Sequence, residues 1–253
     1  MGLLTVVVAL WLGRSEPRRW VRRLGYAALT AVVAQGLLGG LTVLLLLPTA
    51  ISVAHACLAQ TFFCLIVTLA VVTSLRWRRG QPAQPGSLGL AATLTVAAVF
   101  LQILIGAVMR HTKAGLAIPD FPLAMGRLVP PMTSAPVAIH FAHRLWALVV
   151  LFLVALCVAG AWRSGRPGLK KTAAALAGLL LLQIALGALT VLSRRDVIVT
   201  TAHVVIGALI LGTSLALALV SRRGAAAAGQ EVARQARAKA SCAPTKPGRE
   251  AIA

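Results

Sequence analysis

The chain has 253 residues, of which 59% are hydrophobic and only five acidic. Its mean hydropathy of +0.89 is that of a polytopic membrane protein, not of a soluble core. A formal charge of +20 would suit a nucleic-acid binder if the cations formed one patch, but they fall in short segments between apolar runs. Cys57, Cys64, Cys157 and Cys242 show no CxxC spacing and avoid the exterior loops, which argues against a disulfide scaffold or a zinc site.

In chain order, apolar spans are predicted at about 1–13, 25–47, 50–75, 88–110, 136–161, 172–193 and 197–221. All but the first can cross roughly 30 Å of hydrocarbon, whereas 13 helical residues reach only about 20 Å. The segments 14–23, 76–79, 163–171 and the tail from Arg222 hold 19 of the 25 Lys and Arg residues. By the positive-inside rule those segments are cytoplasmic, and the loops near 48, 112–135 and 194–196 are exterior. No signal-peptide n-region precedes the first span. The tail, rich in Ala, Arg, Lys, Gly and Pro, reads as disordered and able to touch anionic lipid. The bilayer is thus the partner that the charge implies, and nucleic acid is not.

The stretch Gln35 to His55 returns as Gln183 to His203 at an ungapped offset of 148 residues, with nine of 21 positions identical. Gln35 matches Gln183, Gly39 matches Gly187, Thr42 matches Thr190 and His55 matches His203. Two leucine-rich helices share leucines by chance, but not these four residues at fixed spacing, so the chain reads as two homologous membrane halves. The fold expected is an all-α polytopic membrane protein of two pseudo-repeated four-helix bundle halves. Residues 1–80 form an incomplete N-terminal half, 81–221 the C-terminal four-helix half, and 222–253 a basic cytoplasmic tail. At the same offset the counterpart of His143 falls just upstream of Met1, so one further helix and the start of the first are expected to precede this sequence.

His55, His143 and His203 each lie about seven residues inside the exterior end of their spans, roughly 10 Å deep. A single intramembrane histidine is most simply a packing residue bonded to a carbonyl. Three at one depth in repeat-related helices favour ligation, because an unpaired imidazole in hydrocarbon is costly. Two imidazoles from facing helices suit axial ligation of a haem in an apolar bundle, whereas zinc needs a tighter cluster. The pairing expected is His143 with His203, and His55 with a residue upstream. His111 and His140 at the exterior interface fit either solvation or a role. Arg110, Lys113, Arg127 and Arg144 gather on that side, where haem propionates would find partners and where arginines also anchor helices to headgroups. Gln35, Gln102 and Gln183 each precede a glycine by four residues, a pattern read first as helix packing and second as haem contact.

Three segments carry a resemblance: Gly106 to Thr112 (Gly-Ala-Val-Met-Arg-His-Thr), Gly115 to Gly126 (Gly-Leu-Ala-Ile-Pro-Asp-Phe-Pro-Leu-Ala-Met-Gly), and His143-Arg144-Leu145-Trp146-Ala147. Together they resemble the haem A synthase family, over almost the whole chain. The resemblance implies eight transmembrane helices in two halves, a histidine pair in each, and oxidation of the C8 methyl of haem O to the formyl of haem A for aa3-type oxidases. It implies that His143 and His203 hold a haem B cofactor, that His55 is one ligand of the substrate haem, and that Arg110, His111 and Arg144 belong to the exterior loop or contact propionates. The implied partners are haem O synthase and the factors that assemble the oxidase. The implied location is the cell (inner) membrane, with both haem sites near the exterior face.

Three departures from that family stand out. Its loop usually carries cysteines where this chain has Ile118 and Ala124, so no loop disulfide forms. Its second substrate-haem histidine falls upstream of Met1. So does its catalytic Glu, one turn before that histidine, and the catalytic residue stays unassigned; His140 takes the corresponding place in the second half. The competing reading is a non-catalytic haem B electron-transfer protein with a decayed first half. A secondary transporter, suggested by repeats alone, is weakened because no span interior carries an acidic residue. Glycine-rich faces such as Gly36 and Gly40 leave a small homo-oligomer open.

Overall fold

A computed structural model of the chain describes residues 1–78 and 87–241, and their side chains except at 76, 78 and 224–241. The described residues are almost entirely helical: α1 Gly2–Ser15, α2 Arg19–Leu44, α3 Thr49–Thr73, a single turn α4 Leu75–Arg78, α5 Leu88–His111, α6 Ala135–Arg163, α7 Pro167–Leu192 and α8 Val197–Ser241. Inside a bilayer a segment must satisfy its own backbone, which the helix does completely. Six of these helices are long and apolar enough to cross a membrane, with Val197–Arg223 the spanning part of α8. The protein is therefore an all-α polytopic membrane protein.

The helices outrun several of the predicted apolar spans. α2 starts at Arg19 rather than near 25, and α7 at Pro167 rather than 172. Arg and Lys are good helix formers whose long stems let the charge reach the interface, and Pro167 at the first position of α7 brings a preset φ. The backbone of α8 stays helical to Ser241, where the sequence analysis expected disorder from residue 222. The last part of that tail, 242–253, lies outside the described residues.

Helices α5 to α8 close on themselves: α5 packs on α6 and α8, α6 on α7, and α7 on α8. Their shared core includes Ala92, Cys157, Ala161, Ala173, Leu176 and Leu211, each fully buried. Small residues there let the axes approach; a Cβ on Gly160 would stand 3.2 Å from the Leu88 side chain. α1 packs on α2 and α2 on α3, around Leu12, Val21, Ala28, Leu69 and Val72. This group meets the bundle through α3, which touches α5 and α8. At that seam Gly212 of α8 faces the Phe63 ring, where a Cβ would stand 3.0 Å from the ring edge.

The 148-residue repeat appears in the backbone too. The turn after α2 holds Leu46 and Leu47 at positive φ, and the turn after α7 does the same with Arg194 and Arg195. Leu47 N–H donates to the Thr42 carbonyl at 2.7 Å and Arg195 N–H to the Thr190 carbonyl at 2.8 Å. Non-glycine residues enter the left-handed region at a cost, so two matched pairs mark one inherited turn.

The turn between α1 and α2 is held by charge. Glu16, 4% exposed, accepts from Arg18 Nε at 2.7 Å and Nη2 at 2.9 Å, while Arg18 Nη1 donates to the Val72 carbonyl at 3.0 Å. This fork ties α1, α2 and the end of α3 together. Glu16→Ala is expected to destabilise the α1–α3 group by roughly 1–3 kcal/mol, the cost of orphaning buried charge-assisted bonds, read as a lowered thermal midpoint of the detergent-purified protein. An unchanged midpoint would show that the fork is dispensable.

Candidate functional site

Three helix hairpins present the same side-chain group. Across α2 and α3, Gln35 Nε2 lies 3.2 Å from His55 Nε2. Across α5 and α6, Gln102 Nε2 lies 3.2 Å from His143 Nε2, and across α7 and α8, Gln183 Nε2 lies 3.3 Å from His203 Nε2. The glycine one turn after each glutamine makes room for the ring. A Cβ added at Gly39, Gly106 or Gly187 would stand 3.1, 3.2 or 3.2 Å from the imidazole Cε1. In the third hairpin the fit is reciprocal: a Cβ at Gly207, one turn after His203, would stand 3.2 Å from the Gln183 amide nitrogen.

Each group leaves the same two atoms buried without a hydrogen-bond partner: the imidazole Nδ1 of His55, His143 and His203, and the Oε1 of Gln35, Gln102 and Gln183. Hydroxyls one turn before two of the histidines, Ser52 Oγ and Thr200 Oγ1, are buried and unpartnered as well. Buried polar atoms are normally paired, so their accumulation around three histidines singles this region out as the candidate site. His143 and His203 lie on α6 and α8 of the closed bundle. His55 lies on α3, in the group of helices α1–α3. Sequence analysis singled out all three histidines; it read the glutamines first as packing, because the glycine spacing alone does not show which group enters the gap.

At the end of the bundle where α5 and α6 are joined, residues 112–134 fold into a compact loop. The Asp120 carboxylate accepts from Met125 N–H at 2.7 Å and Gly126 N–H at 2.8 Å, capping a turn in which Met125 and Gly126 both have positive φ. Ile118 and Ala124, 0% and 3% exposed, pack with Val137, Ala117 and Phe141.

Arg144 secures this loop to α6. Its Nη1 donates to the Leu123 carbonyl at 2.9 Å, and its Nη2 to the carbonyls of Asp120 at 2.7 Å and Ile118 at 3.2 Å. Its Nε meets His140 Nε2 at 3.2 Å, and Ile118 N–H reaches His140 Nδ1 at 3.3 Å. A neutral imidazole offers one lone pair, so the shorter Arg144 contact is the fuller bond. His140 is therefore a buried loop anchor, 3% exposed, and not solvated. Arg110 is exposed and His111 half-buried at the end of α5. Of the three candidates for the loop or propionates, Arg144 is engaged by the loop.

Gly126 N–H and Met125 N–H hold the Asp120 carboxyl below its ordinary range. A depressed carboxylate contributes stability above its unfolded pKa and loses it as pH falls through the folded value. Amide protection at Met125 and Gly126, measured by hydrogen exchange, is thus expected to persist at neutral pH and to fall at pH values below about 4. Asp120→Asn should lower it at every pH; protection equal to wild type would remove Asp120 from the turn.

The family model described as "Cytochrome oxidase assembly protein" (COX15-CtaA) matches residues 1–215. The chain is similar to the "Heme A synthase" of Symbiobacterium thermophilum, 34% identical over 212 residues covering 80% of this chain and 69% of that one. It is similar to that of Beijerinckia indica, 33% identical over 178 residues and 64% and 49% of the two chains. It is similar too to that of Halalkalibacterium halodurans, 28% identical over 237 residues and 89% and 77%. The chain thus spans about half to three quarters of the length of these relatives. With most of its length matched by the family model, the chain belongs to the COX15-CtaA family of cytochrome oxidase assembly proteins.

Proposed function

We propose that this chain is a haem A synthase-type membrane oxidoreductase that oxidises the C8 methyl of haem O to the formyl of haem A, in the biosynthesis of the cytochrome oxidase cofactor. The observation that carries this reading is the thrice-repeated half-buried imidazole whose buried Nδ1 lacks a partner, set in a chain of the oxidase assembly family. His143 and His203 would hold haem B within α5–α8, and His55 would be one ligand to the substrate haem beside α1–α3. Two features of these residues suit the group: each ring is half-buried on a spanning helix with its Nδ1 lacking a hydrogen-bond partner, and the helices that carry them are apolar.

When bound, haem B supplies a one-electron redox centre. The chain's own residues do the rest. The apolar core of α5–α8 excludes water. The loop gripped by Arg144 covers the same end of the bundle, and Arg110 and His111 at the end of α5 offer cationic or polar partners for substrate propionates. Conversion of methyl to formyl takes in one oxygen atom at the level of water and releases four electrons and four protons in two two-electron stages, so the reaction requires an external electron acceptor. Placement in the cell (inner) membrane, with the basic tail cytoplasmic and the haem sites near the exterior face, follows from the charge asymmetry. Haem O synthase upstream and aa3-type oxidase assembly downstream are the partners this reading requires.

The test is to express the full chain in a bacterium supplied with haem O synthase, purify it, and identify the haems by extraction and chromatography. Haem A or its hydroxylated precursor, together with haem B, is the expected outcome. Haem B alone at about one per chain would favour the non-catalytic electron-transfer reading. Haem content unchanged in His143→Ala and His203→Ala would overturn the ligand assignment.

A further inference from the structure

We propose that Ser52 of α3 and Thr200 of α8 are ligand-contact residues, whose buried hydroxyls donate to a carboxylate at the edge of the macrocycle that His55 or His203 would hold. This rests on the ligation reading above and adds to it the group that meets the polar edge of the ligand. Ser52 and Thr200 are matched by the 148-residue offset and lie three residues before His55 and His203. Residues three apart share a helix face, so each hydroxyl stands about one turn from its histidine, on the side nearer the start of its helix.

Both oxygens are buried without a partner, and Ser52 is only 4% exposed. Elsewhere the chain avoids this. The buried hydroxyls of Thr5, Thr42, Thr95 and Ser214 each donate to a carbonyl of their own helix three or four residues back, at 3.2, 2.6, 2.8 and 2.9 Å. The corresponding carbonyls are present for Ser52 and Thr200, at Pro48 and Asp196, where they accept the residue's own N–H at 3.0 and 2.9 Å. A carbonyl oxygen has a second lone pair, so the local bond is open and unused. A buried hydroxyl left unpaired costs about 1–3 kcal/mol, and the repeat keeps two of them beside histidines.

The acceptor they suit is an anion, because bonds to charged groups are the strong ones. In one half the helix end concerned is cationic: exposed Arg194 and Arg195 form the turn that leads into α8. The carboxylate in that turn, Asp196, is engaged by the N–H groups of Ile198 and Val199 at 2.9 and 3.1 Å, which leaves a ligand to supply the anion. The matched turn before α3 carries Leu46 and Leu47 instead, so no cation of that turn assists Ser52. At the third histidine the equivalent position is His140, already held by Arg144 and the loop. The α5–α8 site therefore takes its hydroxyl from α8 and not from α6.

The experiment titrates the full chain, prepared without haem, with haem B and with its dimethyl ester, in which both carboxylates are masked. Thr200→Val keeps the shape and removes the hydroxyl. It should weaken haem B binding about tenfold, the low end of what a bond to a charged group is worth. The thermal midpoint of the haem-free variant should stay level or rise, because an orphaned group has gone. For the ester, wild type and Thr200→Val should agree within about twofold, and Thr200→Ser should bind haem B as wild type does. Ser52→Ala, read with haem O and its dimethyl ester, should repeat the pattern.

Equal haem B affinity in wild type and Thr200→Val would overturn the proposal, and so would a loss as large with the ester as with haem B. A lowered midpoint of the haem-free Thr200→Val chain would show the hydroxyl to be a packing group and overturn it too. If the Val variant does not accumulate in the membrane, the ester decides, and wild type binding it as tightly as haem B overturns the proposal. A wild-type chain that takes up no haem, or uptake indifferent to His203→Ala, would overturn the ligation reading and this proposal with it.

Discussion

Everything in this structure is arranged around the cost of placing imidazoles inside hydrocarbon. A buried polar group without a partner costs roughly 2–7 kcal/mol, and the spanning helices bury the Nδ1 atoms of His55, His143 and His203. Each is met by a glutamine on the preceding long helix, at 3.2 to 3.3 Å. That one contact dictates the glycine a turn later, the close approach of each hairpin, and hence the spacing of the bundle. An interhelical hydrogen bond in a membrane adds only about 0.6 kcal/mol to stability on average. Stability alone is a weak reason to build three; placing three rings is a stronger one.

The loop of residues 112–134 meets a different constraint, that of keeping an irregular segment in place at the rim of a bundle. Its backbone carbonyls cannot pair with one another as a helix would, so one guanidinium gathers three of them, at Ile118, Asp120 and Leu123. Asp120 does the complementary work, collecting two N–H groups. Arg144 follows His143 in sequence, so the residue that fixes the loop and the candidate ligand share one turn of α6. Movement of the loop would therefore be felt at the histidine. At the two positions where the resembling family usually carries cysteines, Ile118 and Ala124 lie buried in one apolar cluster with Val137, and dispersion takes the place of a covalent link.

Much of this was legible in the sequence because the bilayer narrows the choices. Long apolar runs could only be helices, and the repeat of Gln, Gly, Thr and His at fixed spacing tied α2–α3 to α7–α8 before any geometry was known. Helix ends were less legible, as at Arg19 and Pro167, since hydropathy reports where the hydrocarbon stops and helices continue into the interface. The role of His140 was not legible at all. Its burial depends on Ile118 and Arg144 closing over it, contacts made by a loop whose path no periodicity encodes.

The α5–α6 hairpin shows how the parts depend on one another. Its glutamine bonds both the ring and the carbonyl of His143, Trp146 Nε1 one turn later donates to the Ala98 carbonyl of α5 at 2.9 Å, and Arg144 between them reaches out to the loop. Four consecutive residues of α6 thus supply a candidate ligand, a loop clamp and a cross-link to the neighbouring helix. His203 on α8 has its glutamine and the facing Gly187, while Gly207 one turn on faces the Gln183 amide. The ring of His143 is set from several directions and that of His203 from one.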